Sequence, residues 1–292
     1  MPWYTPFQSV VHQDEPLAMH TWFQVGGMAE FYAQPSSGQE LIELVHAANQ
    51  EGIKIRLLGE GSNVLIRDDG VSGLIINLDS PAFQGISING SSVRAASAAK
   101  LNRVITTAVH AGLGGLEDLI GIPGTLGGAL HLNVSANMVN ICRYLKSAVE
   151  MDFHGNIVQR TAEELVPSYR NSSLNSLVIL EATFDLEPEN PVELAKQLQK
   201  RWILKKAQQP MSFQCCGRIF QNPSGFSAGD LIDRAGLKGT RIGGAVVSER
   251  HGNFFIAEPE CTADDLLRLI DLVRDQVHKR MDTQLELDLE IW

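Results

Sequence analysis

Gly121-Ile122-Pro123-Gly124-Thr125-Leu126-Gly127-Gly128-Ala129 places four glycines and one proline in nine residues. Apolar segments lie on both sides. Glycine admits positive φ and lets backbone N–H groups come close to a ligand. A run this dense is either a tight packing turn or a cradle for phosphate oxygens. No Gly-Lys-Ser/Thr follows, which excludes a nucleoside-triphosphate P-loop, and the spacing does not fit G-x-G-x-x-G. Taken alone, the stretch leaves turn and cradle equally open.

Working outward, a second turn of this kind precedes it. The spacing predicts a strand over 53–58 that runs directly into Gly59-Glu60-Gly61-Ser62-Asn63. Two glycine cradles in the N-terminal half suit a dinucleotide with a pyrophosphate better than a single phosphate. Glycine turns also serve bulges and corners, so this stays one reading of two. Around the cradles, Ser37-Gly38-Gln39-Glu40 reads as a capping box, with Leu41, Ile42, Leu44, Val45 and Ala48 following at helical spacing up to Gly52. Short strands are expected over 64–66 and 74–76, joined by a turn at Asp68-Asp69-Gly70. A helix is expected over 101–110, a hairpin over 148–158 and a strand over 177–186.

Pro188-Glu189-Asn190-Pro191 is the linker candidate, which gives domains over 1–190 and 191–292. Beyond it the pattern predicts a basic helix over 192–207 and a short helix capped by Ser227. A strand over 241–247 follows. Thr262 then caps an amphipathic helix whose Leu266, Leu269, Ile270, Val273 and Val277 form one apolar stripe. The alternation over 285–292 puts Glu286, Asp288 and Glu290 on one strand face. This order of short helices and many strands is α+β, without regular β-α-β alternation.

The chain has 292 residues, of which 44% are hydrophobic and 20% charged, the balance of an ordinary globular protein with room for two cores. A net charge of −10 argues against nucleic-acid binding and against an anionic membrane surface. No apolar run is long enough to span a membrane, and Met1-Pro2-Trp3-Tyr4 does not open a signal peptide. The four cysteines, Cys142, Cys215, Cys216 and Cys261, contain no C-x-x-C pair. They predict a reducing cytoplasm and no metal framework.

The motifs, taken in order, resemble one family. Gly59 to Leu65 is similar to the G-x-G-S-N-hydrophobic-L signature of the UDP-N-acetylenolpyruvoylglucosamine reductases, the MurB family. Gly121 to Ala129 resembles that family's G-I-P-G-T-hydrophobic-G-G-A. Thr21 to Gly27 resembles its opening, and Ser168-Tyr169-Arg170-Asn171-Ser172 resembles its Y-R-x-S motif. Phe220-Gln221-Asn222-Pro223, Ser227-Ala228-Gly229, Ala235-Gly236-Leu237-Lys238-Gly239 and Val247 to Phe254 resemble its C-terminal signatures. The ordered set runs from about residue 15 to about residue 290.

The resemblance implies an FAD-binding domain of the vanillyl-alcohol-oxidase (PCMH) type, followed by a smaller α+β substrate domain. It implies an FAD-dependent reductase with NADPH as co-substrate. The reaction is reduction of UDP-N-acetylglucosamine enolpyruvate to UDP-N-acetylmuramate in peptidoglycan precursor synthesis, hence cell-wall biogenesis, cell shape and division. FAD carries the hydride to the alkene. The protein must supply a cation for the developing enolate and an acid for the proton.

Carried over residue by residue, the cofactor contacts are Gly59, Glu60, Gly61, Ser62, Asn63, Gly121, Ile122, Pro123, Gly124, Thr125, Gly127 and Gly128. The substrate contacts are Tyr169, Asn222, Ser227, Lys238, His251 and Asn253. Arg170 matches the arginine that stabilises the enolate and carboxylate, for which a planar guanidinium is suited. The spacing from Arg170 to Gln209-Pro210 is short, so the loop carrying a substrate-binding tyrosine in one branch is absent. The partner expected is a UDP-sugar, with no nucleic acid, no membrane insertion and a monomeric chain.

Two positions depart from the family. The residue after the glycine in Gln214-Cys215-Cys216-Gly217-Arg218-Ile219 is the family's serine or cysteine proton donor, and here it is Arg218. Arginine stays protonated and is a poor donor of a proton, though it can bind carboxylate or phosphate. In an extended segment Cys216 would share a face with Arg218 and could donate instead, as could a water. Otherwise Cys216 is a small buried apolar residue. The family's terminal glutamate becomes Asp288, and its following arginine becomes Glu290. Three readings follow: an active reductase, a non-catalytic flavin- or nucleotide-sugar-binding paralogue without the donor, and a flavin oxidase with another substrate.

Overall fold

The computed structural model describes residues 2–165, 174, 178–210 and 214–292. By contact the chain forms two compact units. One comprises Met1–Gln13, Phe31–Gly59 and Gly73–Leu204, and the other Asp14–Glu30, Glu60–Ser72 and Lys205–Trp292.

In the first unit an antiparallel sheet has the order Ile157–Thr161, Leu145–Met151, Val178–Asp185, Ser92–Ala96, Ile86–Asn89. Val93, Ala95, Ala148, Ala182 and Phe184 turn inward from it. They bury with Val104, Ile105 and Ala108 of the helix Leu101–His110. A second core joins Leu41, Leu44, Val45 and Ala48 of the helix Gly38–Gln50 to Phe31, Ala33, Ile55, Leu74 and Ile76. The i, i+3, i+4, i+7 spacing of those helical residues is what makes one continuous apolar stripe. Ser37 caps the helix by accepting from Glu40 N–H. The reciprocal half of the expected capping box is displaced by one residue, because Glu40 accepts from Ser36 instead.

The second unit is built on the helix Ala263–Met281, whose expected stripe of Leu266, Leu269, Ile270, Val273 and Val277 is buried throughout. Thr262 and Asp265 form a complete capping box at its start. The predicted strand over 241–247 is in fact a hairpin. Arg241–Ile242 folds back on Ala245–Val247 through Gly243-Gly244, and Phe255–Ala257 adds the third strand. The alternation over 285–292 does not give one continuous strand. Only Glu290–Ile291 is a strand, paired in parallel with Val64–Leu65, while Leu287 makes an isolated bridge to Phe220. The carbonyl of Ile219 accepts from both Asp288 and Leu289 N–H, which interrupts the two-residue period.

A boundary at 190/191 does not match this division. Glu187–Pro188 is a strand paired with Leu113–Gly114, and Glu189 N–H donates to Gly112 O. In the helix Pro191–Gln208 that follows, Leu194 is buried and Arg201 pairs with Asp118 at 2.8 Å. The expected linker is thus paired backbone of the first unit. The early segments of the second unit are drawn in by hydrophobic burial, with Phe23, Val25 and Leu65 packed in its core.

Candidate active site

The first unit brings the two glycine stretches into contact. A Cβ built on Gly59 would lie 2.9 Å from Thr125 Oγ1. Asn77, buried, fixes the Gly59 peptide by donating its Nδ2 to Gly59 O at 3.1 Å. Gly127 packs against Ser97, where an added Cβ would meet the Ser97 Cβ at 3.1 Å. Gly121 and Gly124 hold φ of +78° and +110°, conformations that favour glycine.

Most N–H groups of the long glycine stretch are held by the protein itself. Gly121 N–H donates to Asn102 Oδ1, Leu126 to Ala99 O, Gly127 to Ser97 O and Gly128 to Thr125 Oγ1. The first three bonds are 2.8 Å long and the last 3.3 Å. The groups left for a ligand are the N–H groups of Gly124 and Thr125, which have no protein acceptor among the described residues. The flanks of this stretch therefore pack as a turn, while two N–H groups at its centre stay open. Three supporting residues carried no motif signal, namely Asn77, Asn102 and Ser97. The Ser97 hydroxyl is buried and has no hydrogen-bond partner among the described residues.

In the second unit the segment around Arg218 is pinned from two sides. Asn253 is fully buried, accepts from Phe220 N–H (2.9 Å) and donates to Phe220 O (2.8 Å). Gly217 N–H donates to Ser62 O, and Asn63 Nδ2 donates to Asp288 O at 2.9 Å. Asp288 N–H donates to Ile219 O. Asn63, Arg218 and Asp288 are thus carried by neighbouring segments, with Glu290 two residues on. Glu290 accepts from Trp292 Nε1.

Several residues expected to face substrate are occupied in shaping the unit. Asn222 accepts from Ala228 N–H, and Ser227 caps the helix Ala228–Arg234 by accepting from Asp230 N–H. Lys238 pairs with Asp233 at 2.7 Å. The segment 214–219 is not a strand, so Cys216 does not follow the two-residue alternation that would place it beside Arg218. Cys216 is buried in the core, with its Sγ on the Gly61 and Val64 carbonyls, and burial pushes its pKa far up. Tyr169 and Arg170 lie outside the described residues.

His251 packs on Gly229 and meets Phe254 edge-on, 4.9 Å between ring centroids. Asn253 N–H donates to its Nδ1, so the neutral ring carries its proton on Nε2. Burial first, and the Arg218 charge second, lower its pKa from 6.5. The unfolded chain therefore binds more protons just below pH 6.5 than the folded one. The His251 contribution is complete above that pH and is lost as pH falls through it toward the folded pKa. Thermal midpoints measured from pH 7.5 to 5 should fall with a component that His251→Asn removes. An unchanged slope in the variant contradicts this.

A family model for an FAD binding domain matches residues 29–159. A model for the C-terminal domain of UDP-N-acetylenolpyruvoylglucosamine reductase matches residues 209–292. The chain is 37% identical over 283 residues to the UDP-N-acetylenolpyruvoylglucosamine reductase of Rhodopirellula baltica, covering 97% of this chain and 93% of that protein. This chain belongs to the UDP-N-acetylenolpyruvoylglucosamine reductase family. The reductase of Bacillus licheniformis is 36% identical over 96% of this chain and 93% of its own length. A crystal structure of the family, UDP-N-acetylenolpyruvylglucosamine reductase (MurB) from Thermus caldophilus, superposes with a TM-score of 0.81 at 31% identity. It covers 95% of this chain and 97% of that one. The resemblance carried by the motifs holds over nearly the whole MurB-family length. So does the α+β fold, with an FAD-binding domain in its N-terminal half.

Proposed function

We propose that this chain is an FAD-dependent, NADPH-oxidising reductase of UDP-N-acetylglucosamine enolpyruvate. It would yield UDP-N-acetylmuramate for peptidoglycan, and so serve cell-wall growth, shape and division. The observation that carries the reading is the contact of the two glycine stretches at Gly59 and Thr125. The open N–H groups of Gly124 and Thr125 and the buried, unpartnered Ser97 hydroxyl fit a bound dinucleotide. In this proposal the first unit holds FAD, with Gly59 and the 121–128 stretch at its pyrophosphate. Glu60, Gly61, Ser62 and Asn63 complete the motif. The second unit carries the residues for the UDP-sugar.

FAD, when bound, supplies the relay of a hydride from NADPH to the alkene. The chain's own residues handle charge and proton. Arg170 stabilises the enolate and carboxylate by its motif position. Arg218 holds a substrate anion, because a guanidinium does not release its proton. Asp288, pinned beside the Arg218 segment, takes the place of the terminal glutamate, with Glu290 next to it. Cys216 is a packing residue, and the proton comes from a water. Asn222, Ser227 and Asn253 shape the unit, whereas Tyr169, Lys238 and His251 remain candidates for substrate contact.

Cys216→Ala should therefore leave steady-state turnover within about two-fold. Loss of a general acid would lower it ~10²–10⁴-fold. The non-catalytic alternative draws on Arg218 alone. A cytoplasmic location and a monomeric chain are part of the proposal; the four free cysteines fit a reducing compartment. Purified protein should be yellow, and NADPH should bleach the flavin band without oxygen. Colourless protein that takes up no FAD contradicts the proposal.

A further inference from the structure

Ser97 lies in Ala95-Ala96-Ser97-Ala98-Ala99, a small-residue run at the end of the strand Ser92–Ala96. Its backbone is fully engaged: N–H donates to Leu180 O, and O accepts from Gly127 N–H. The residue is only 4% exposed, and its buried hydroxyl has no partner among the described residues. A buried hydroxyl usually finds at least one partner, because leaving it unpaired costs about 1–3 kcal/mol. The residue packed against it is Gly127, where an added Cβ would lie 3.1 Å from the Ser97 Cβ, a tight approach.

Two independent observations thus meet at one place. One is an orphan donor, and the other is a glycine stretch with N–H groups open at its centre. Alanine keeps the Cβ that packs on Gly127, so packing alone does not call for the hydroxyl. We propose that Ser97 is a cofactor-holding residue whose hydroxyl donates to a phosphate oxygen of FAD. This rests on the FAD reading above and adds to it a contact that none of the motifs contains. A hydrogen bond to a charged oxygen is stronger than a neutral one, so its loss should weaken binding clearly. In the protein without FAD the same hydroxyl has nothing to bond and only burdens the fold.

The test is Ser97→Ala against wild type, both stripped of flavin, with two readouts. FAD affinity is measured by titration, and thermal stability is measured with and without FAD. The expected result is about ten-fold or more weaker FAD binding by the variant. Its FAD-free midpoint should be equal to or above that of wild type, and its FAD-induced gain smaller. Riboflavin, which lacks phosphate, should bind both proteins alike. Equal FAD affinity overturns the inference. So does weaker FAD binding accompanied by a lower FAD-free midpoint, which would mark a structural role, or by an equal loss of riboflavin. If wild type itself takes up no FAD, the functional reading fails first and the inference falls with it.

Discussion

Asn253→Ala should destabilise the second unit by about 3–5 kcal/mol, since it leaves a buried donor and a buried acceptor unpaired at once. Its side-chain amide imitates a strand neighbour for Phe220. It accepts from the peptide N–H at 2.9 Å and donates to the peptide O at 2.8 Å, with both residues fully buried. Asn253→Asp is the sharper variant. A carboxylate can still accept from Phe220 N–H but cannot donate to Phe220 O, so it should be nearly as damaging. Urea unfolding of both variants gives the numbers. A loss below about 1 kcal/mol in each would show that the amide is not what holds the segment carrying Arg218.

The second large effect is at Gly61. Its φ is +63°, and an added Cβ would lie 2.2 Å from the His20 carbonyl oxygen and 2.7 Å from Thr21 Cα. Both contacts are backbone, so no side chain can swing aside. The left-handed conformation alone costs an alanine about 1–2 kcal/mol. The clash adds to that by forcing apart segments joined by the Trp22 N–H bond to Gly61 O. Gly61→Ala should lose about 3 kcal/mol or more. Gly225→Ala is the control, with φ +80° and nothing within 4 Å. It bears the conformational part only and should lose about 1–2 kcal/mol. Equal losses at the two sites would contradict the steric account.

What was legible in the sequence was local. Thr262 and Asp265 lie three residues apart and the stripe behind them repeats at helical spacing, so the helix Ala263–Met281 could be read directly. The hairpin at Gly243-Gly244 also left a local mark. A glycine pair between short apolar runs is a two-residue hairpin signal, and reading 241–247 as one strand passed over it. The division into units left no such mark. It depends on Val64–Leu65 pairing with Glu290–Ile291 across most of the chain, and on Phe23 and Val25 burying with a helix near the C-terminus.

The site shows the same limit. The motifs pointed to Gly59 and to the 121–128 stretch, and the fold brings Gly59 against Thr125. They could not separate residues that face a ligand from residues that shape the fold around it. Asn222, Ser227 and Asn253 bond to backbone groups of their own unit. Ser97 sits among alanines and signals nothing until its hydroxyl is seen buried without a partner.

The central claim is that this chain completes both halves of the reduction despite Arg218 at the donor position. The direct measurement is anaerobic. The flavin is reduced with one equivalent of NADPH, UDP-N-acetylglucosamine enolpyruvate is added, and the flavin absorbance is followed while the product is analysed. The account predicts that the absorbance returns at a rate sufficient for turnover, with one UDP-N-acetylmuramate formed per flavin reoxidised. Flavin that NADPH bleaches but the substrate leaves reduced would contradict it.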